Sequence, residues 1–215
     1  MENYILNKAE NEAQGTFLFA HGAGAPMDSP FMERITLALT KLGVNVARFE
    51  FKYMAKRRIS GKKSPPPRAD KLIGEYQKIL QALLEDVDGP IVIGGKSMGS
   101  RIAAMLASAN SLPKRVTGVC CLGYPFHPVG KSEIEHWRLP TLEQVKRPML
   151  ILQGERDQFG NKEELTSISL PKTIELAFVE DGNHDFAPRG RSEATLNGNL
   201  NNAAQLVSDF IRNSK

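Results

Sequence analysis

Residues 94–100 read Gly94-Gly95-Lys96-Ser97-Met98-Gly99-Ser100, GGKSMGS, and the fold turns on how they are parsed. Gly95-Lys96-Ser97 spells the G-K-S that ends a phosphate-binding P-loop. Gly95, Ser97 and Gly99 spell the G-x-S-x-G of a hydrolase nucleophile elbow. A P-loop requires G-x-x-x-x-G-K-S, because several residues must wrap their backbone N–H groups around a phosphate. Counting back from Gly95, its first glycine falls on Pro90, and Ile91-Val92-Ile93 occupies the space the wrapping loop would need. The P-loop reading fails on spacing.

The elbow reading meets each local requirement. The strand Ile91–Ile93 runs directly into the turn, and a helix, Ser100–Ala109, follows it. The turn is so tight that side chains two positions either side of the nucleophile would clash, and both positions are glycine. Ser97 is then the candidate nucleophile at a helix N-terminus, where free N–H groups stabilise developing negative charge.

A serine hydroxyl needs a base, and the base an orienting acid. In this architecture they follow in the order serine, acid, histidine, each just past a strand. Glu155-Arg156-Asp157 follows the strand MLILQG, and Glu180-Asp181-Gly182-Asn183-His184 follows IELAFV. Asp157 is the expected acid, rather than Glu155, because it lies further from the strand end. His184 is the expected base, as the only histidine downstream of that acid. Acyl transfer also needs oxyanion donors. These are expected from the backbone N–H of Met98 and from that of Ala23, in the His21-Gly22-Ala23-Gly24 turn after the strand TFLFA.

The remaining chain alternates strands and helices. Strands are expected at 16–20, 44–51, 91–93, 116–122, 149–152 and 174–179. Helices are expected at 31–42, 72–87, 100–109, 161–168 and about 199–212. Such alternation implies a single α/β domain over residues 1–215, with a doubly wound, mostly parallel sheet covered by helices on both faces. Functional groups then gather at the carboxyl edge of the strands.

HGAG, GGKSMGS, the ERD loop and GNHDF together resemble the α/β-hydrolase fold, over about residues 15–212. The pattern is similar to its small branch with little or no cap. That branch holds the dienelactone hydrolases and a group of predicted hydrolases that includes a testis-expressed protein and a subunit of a histone-acetyltransferase complex. The resemblance implies Ser97 as nucleophile, Asp157 as orienting acid, His184 as base and no cofactor. Dienelactone hydrolases carry cysteine where this chain has Ser97, so their substrate does not transfer. The predicted-hydrolase group includes members with scaffolding roles, which keeps a non-catalytic binding module open as the alternative.

Composition sets the outer bounds. A hydrophobic share of 41% and a charged share of 24% are those of an ordinary globular chain. No apolar run is long enough for a membrane span. The polar, acidic start MENYILNKAENE lacks the basic-then-apolar pattern of a secretory signal, so a cytoplasmic address is the expectation. The two cysteines, Cys120 and Cys121, are adjacent in a strand and point to opposite faces, so both are expected reduced and buried. The scattered histidines argue against a zinc site.

The net charge of +4 is uneven: between Lys52 and Lys71 lie eight basic residues and one acid, Asp70. This Pro-rich stretch is expected to be a loop. It is either a solvated segment or an anion-attracting rim in which Arg57 or Arg58 recognises a carboxylate or phosphate. It lacks the interleaved aromatics that stack bases, which argues against nucleic acid. The expected partner is a small-molecule substrate, anionic if the rim recognises it. Residues 123–147 stand where larger hydrolases insert a cap and are long enough only for a flap. There Trp137 and Phe126 either line an acyl pocket or cover the sheet, and His127 and His136 are expected at the surface.

Overall fold

Short β-branched and aromatic runs lay down the sheet, and amphipathic segments between them cover it. A computed structural model of the chain describes residues 4–109 and 112–214; Met1–Asn3 of the acidic start lie outside them. In chain order the elements are β1 (Tyr4–Asn7), β2 (Gly15–Ala20), α1 (Pro30–Lys41), β3 (Val44–Phe49), α2 (Lys52–Ser60) and α3 (Ala69–Asp86). Next come β4 (Ile91–Lys96), α4 (Met98–Ala109), β5 (Val116–Leu122), a 3-10 turn (Ile134–His136) and α5 (Leu139–Glu143). The chain closes with β6 (Met149–Gly154), α6 (Lys162–Thr166), β7 (Ile174–Val179) and α7 (Leu196–Asn213).

The strands form one seven-stranded sheet in the order β1-β3-β2-β4-β5-β6-β7. All neighbours are parallel except β1, which runs antiparallel to β3 at the edge. The order reverses between β2 and β4, where the connections leave in opposite directions and open a crevice at the carboxyl edge. Parallel register pairs Ala20 with Gly95 and Lys96 with Leu122. The turns after β2, β4 and β5 therefore emerge side by side.

Every residue of β2 and of β4 is buried, as expected of central strands covered on both faces. Successive residues serve opposite layers. Phe17, Phe19 and Val92 pack with Met32, Ile35 and Leu39 of α1 and with Ala203, Val207 and Ile211 of α7. Leu18, Ala20 and Ile93 pack with Tyr76, Leu80 and Leu83 of α3 and with Ile102 and Leu106 of α4. Cys120 faces the first layer and Cys121 the second, and both are free and buried. The Tyr76 hydroxyl, fully buried, accepts the Gly94 N–H at 2.8 Å and reaches the Leu18 and Gly94 carbonyls at 2.9 and 2.8 Å. It ties β2 to β4 just below the site.

The structure departs from the sequence expectation in three places. A seventh strand, β1, lies at the antiparallel edge, where only four residues pair. The basic stretch expected as a loop opens with the nine-residue helix α2. Its helical state is set by contacts with distant loops rather than by an apolar stripe: only Met54 is buried, and Arg58 binds Asp28 and Glu50. His127, expected at the surface, is buried beneath Trp137, its ring 5.1 Å from the indole, with Nε2 3.3 Å from Glu164. His136 is exposed. Phe126 and Trp137 belong to the core cluster, and the indole N–H donates to the Ser132 carbonyl, so this pair covers the sheet.

Candidate active site

Ser97 sits between β4 and α4 with φ 54°, one of three non-glycine residues with positive φ among the described residues. Such a backbone is strained for an L-residue and is held here by its surroundings. The Ser97 N–H donates to the Leu122 carbonyl at 3.0 Å, and its own carbonyl accepts from Arg101 N–H and from the Ser100 hydroxyl. A Cβ on Gly95 would lie 2.5 Å from the Gly99 backbone, and one on Gly99 would lie 2.5 Å from the Ala20 carbonyl oxygen. Glycine at both positions is thus a steric requirement. The Ser97 Oγ makes no hydrogen bond among the described residues.

Asp157 is fully buried at the end of β6. Its Oδ1 accepts the Phe159 N–H at 2.9 Å, and its Oδ2 lies 2.7 Å from His184 Nδ1. That contact places the Nδ1 proton toward the carboxylate and leaves Nε2 free to act on a neighbour. The imidazole packs 4.5 Å from the Phe159 ring and lies 3.2 Å from where a Gly123 Cβ would stand. Gly123 directly follows Leu122, the Ser97 hydrogen-bond partner, so Ser97 and His184 flank the same turn. Glu155, the other acid of that loop, is engaged elsewhere: it accepts from Lys162 Nζ and from the Asp181 N–H.

The turn after β2 is held by His21, fully buried. Its Nε2 accepts the Phe51 N–H at 3.2 Å, so Nδ1 carries the proton and donates to the Gly22 carbonyl at 2.6 Å. Burial pushes its pKa below the ordinary value, in keeping with a neutral ring. Helix α2 braces the same turn from outside, with Tyr53 Oη donating to the Ala23 carbonyl at 3.0 Å and Arg57 Nη1 to the Gly24 carbonyl at 3.2 Å. Both carbonyls are engaged by α2, and Gly22 is the residue of this turn that approaches Ser97, a Cβ built there lying 3.6 Å from Ser97 Cβ.

Several residues here escaped the sequence reading. Lys96, considered there only as a phosphate ligand, is buried under the His184 loop. Its Nζ donates to the His184 carbonyl at 2.6 Å, pairs with Asp185 at 3.3 Å and stands 5.2 Å over the Phe31 ring. Burial pushes its pKa down, against the pull of Asp185 and Asp157. Its partner lies 88 positions away, so no local signal exists. Of the two arginines offered for an anion rim, Arg58 makes a double contact with Asp28 at 2.8 Å and a further pair with Glu50 at 2.5 Å, while Arg57 donates to the Gly24 carbonyl. A crevice of about 320 Å³ opens beside Asp185, lined by Ala25, Phe31, Leu196 and Leu200 with Arg34 among its lining residues. Among the described residues no His, Cys, Asp and Glu group could hold a metal ion, and no helix is long and apolar enough to cross a membrane.

A family model described as alpha/beta hydrolase domain matches residues 13–212. No curated protein matches the sequence. Among solved structures, an alpha-beta serine hydrolase homologue from Coxiella burnetii is 19% identical with a TM-score of 0.66, over 98% of this chain and 89% of that one. A dienelactone hydrolase from Anabaena variabilis is 21% identical with a TM-score of 0.62, over 95% and 88%. A serine hydrolase without a lid, from Xanthomonas campestris, is 18% identical with a TM-score of 0.62, over the same shares, 95% and 88%.

Proposed function

The chain belongs to the alpha/beta hydrolase family, and from that premise we propose that it is a serine hydrolase cleaving an ester or thioester through an acyl-enzyme. The observation that carries the reading is Ser97 in a strained, positive-φ elbow beside a His184 whose Nδ1 is held 2.7 Å from buried Asp157. A serine placed for packing alone has no need of that strain.

In this mechanism Ser97 Oγ attacks the substrate carbonyl carbon while its proton passes to His184 Nε2. Asp157 keeps Nδ1 protonated and stabilises the imidazolium. The negative charge that builds on the carbonyl oxygen is met by the Met98 and Ala23 N–H groups. Collapse of the tetrahedral adduct breaks the bond to the leaving alcohol or thiol, which takes the proton from Nε2. Water then attacks the acyl-serine, giving a proton to Nε2, and Ser97 recovers it as the carboxylic acid leaves. The crevice beside Asp185 is apolar enough to receive one arm of a small or medium-sized substrate.

Labelling with a fluorophosphonate serine probe tests the reading. Labelling of wild type that is abolished in Ser97→Ala and strongly reduced in His184→Ala supports it. Absence of labelling in folded wild type overturns it and returns attention to a binding module built on the exposed lysines of residues 52–71.

A further inference from the structure

Two half-buried arginines, Arg101 on α4 and Arg138 at the start of α5, pair with no carboxylate among the described residues. Arg101 follows Ser97 by four residues on α4, and its backbone N–H donates to the Ser97 carbonyl at 3.1 Å. Side chains on a helix lean toward its N-terminus and cover the preceding turn, so Arg101 is directed back toward the serine end of α4. Its Nε is buried and has no hydrogen-bond partner among the described residues. No ion pair is formed by Arg101 or by Arg138 among the described residues, whereas Arg58, Arg68, Arg156, Arg189 and Arg212 hold acids and the other arginines do not.

Arg138 is carried to the start of α5 by the segment that follows β5. Its backbone N–H donates to the Phe126 carbonyl at 2.7 Å, and its Nη1 to the Pro125 carbonyl at 2.6 Å. The Tyr124 hydroxyl caps the Arg138 carbonyl at 3.3 Å. Residues 124–126 follow Gly123 directly, and Gly123 flanks both Ser97 and His184. Arg138 opens α5, which packs against α4. Burial pushes the Arg138 pKa below its ordinary value, and the Arg101 charge pushes in the same direction, so the two cations feel each other.

Like charges held together in a half-buried place repel, and a buried guanidinium N–H without an acceptor is costly. A carboxylate or phosphate relieves both, since its oxygens accept the free N–H groups of the two guanidiniums. Resting on the hydrolase reading above, we propose that Arg101 and Arg138 form an anion-binding subsite that selects esters or thioesters carrying a carboxylate or phosphate group. The anion rim then lies on α4 and the loop after β5, not at Arg57 and Arg58.

The test compares two matched pairs of esters at fixed ionic strength. One pair is 4-nitrophenyl butyrate and 4-nitrophenyl hydrogen glutarate, with the anion on the acyl part. The other is 1-butyrylglycerol and its 3-phosphate, with the anion on the alcohol part. The expected result is that wild type favours the charged member of at least one pair by roughly tenfold to a hundredfold in kcat/KM, the loss typical of one or two charge-assisted hydrogen bonds. That ratio collapses toward one in Arg101→Gln and in Arg138→Gln, and Arg101→Lys recovers it only in part because the fork is lost. No preference in wild type, or a preference that survives both glutamine variants, overturns the proposal. If Arg101→Gln does not fold, Arg138→Gln and Arg101→Lys decide the matter. If no ester is turned over and folded wild type takes no fluorophosphonate label, the hydrolase reading fails separately. Calorimetric binding of glutarate and inorganic phosphate to folded wild type and Arg138→Gln then decides the subsite: binding lost in the variant supports it, and equal or absent binding removes it.

Discussion

The ammonium nitrogen of Lys96 lies 2.6 Å from the backbone carbonyl oxygen of His184, so the residue before the nucleophile holds the backbone of the base. The same nitrogen pairs with Asp185, and the two contacts pin the turn that presents the imidazole. Lys96 is thus a positioning residue, acting on the reaction through His184.

Lys96→Met is expected to lower kcat by roughly 10- to 100-fold, as a small displacement of the base would, with KM little changed. Stability follows a different course. The folded-state pKa of Lys96 lies below its unfolded value of 10.5, so the fold is penalised for holding the ammonium at lower pH. Wild type should therefore gain stability relative to Lys96→Met as pH rises from neutral toward 10.5. Denaturant titrations across that range, run beside kcat and KM, check both halves. An unchanged kcat would remove the positioning role.

Asp157 and Glu155 make a second contrast, since only Asp157 reaches His184 and Glu155 serves the scaffold. Asp157→Asn should lower kcat by about 10³- to 10⁴-fold, because the amide favours the wrong imidazole tautomer. Glu155→Ala should cost stability and leave most of the activity, because its lost partners are Lys162 and the Asp181 N–H. Steady-state kinetics on both variants, with melting curves, separate the two roles. Equal losses of kcat would mean that the acid has been misassigned.

What was legible in the sequence was what a local rule could fix. Gly95, Ser97 and Gly99 are set by a strand running straight into a helix, and Asp157 and His184 by their order after successive strands. The β1 strand was not legible, because four edge residues give too short a pattern, and its pairing with β3 joins segments some forty positions apart. Helix α2 was hidden for a related reason. Its residues are mostly charged, and what holds it is Tyr53 on Ala23, Arg57 on Gly24 and Arg58 on Asp28 and Glu50. His127 read as a surface residue because the acid beside it, Glu164, comes 37 positions later.

Asp181, in the turn between β7 and His184, should account for part of the stability that the fold loses in acid. Side-chain and backbone hydrogen bonds from Arg189, and then the Arg156 charge, lower its pKa from 3.8 to about 2. A carboxylate with a depressed folded-state pKa contributes stability that is fully present above its unfolded value. That contribution is lost as pH falls from about 3.8 through about 2. Asp181→Asn should remain below wild type in stability at neutral pH, with the difference shrinking toward pH 2. Urea unfolding at several pH values tests this, and a difference that grows on acidification would contradict the assigned ion pairs.

Tyr76 offers a test of how the elbow is supported from beneath. Its hydroxyl is the acceptor for the Gly94 N–H, one residue before the G-x-S-x-G motif, and its single proton goes to the Leu18 or Gly94 carbonyl. Tyr76→Phe keeps the ring and its edge contact with Phe49, whose centroid lies 5.0 Å away, and removes only that oxygen. A buried backbone N–H then loses its acceptor, which costs about 1–3 kcal/mol. The loss should appear in equilibrium unfolding as a lower midpoint with an unchanged m-value, because the surface exposed on unfolding is the same. The effect should also reach Ser97, since β4 carries the strained turn directly. The rate of fluorophosphonate labelling should therefore fall at temperatures where Tyr76→Phe is still fully folded. A lower midpoint with an unaltered labelling rate would confine Tyr76 to joining the strands; a lower labelling rate in the folded variant would make the hydroxyl part of what keeps the nucleophile in place.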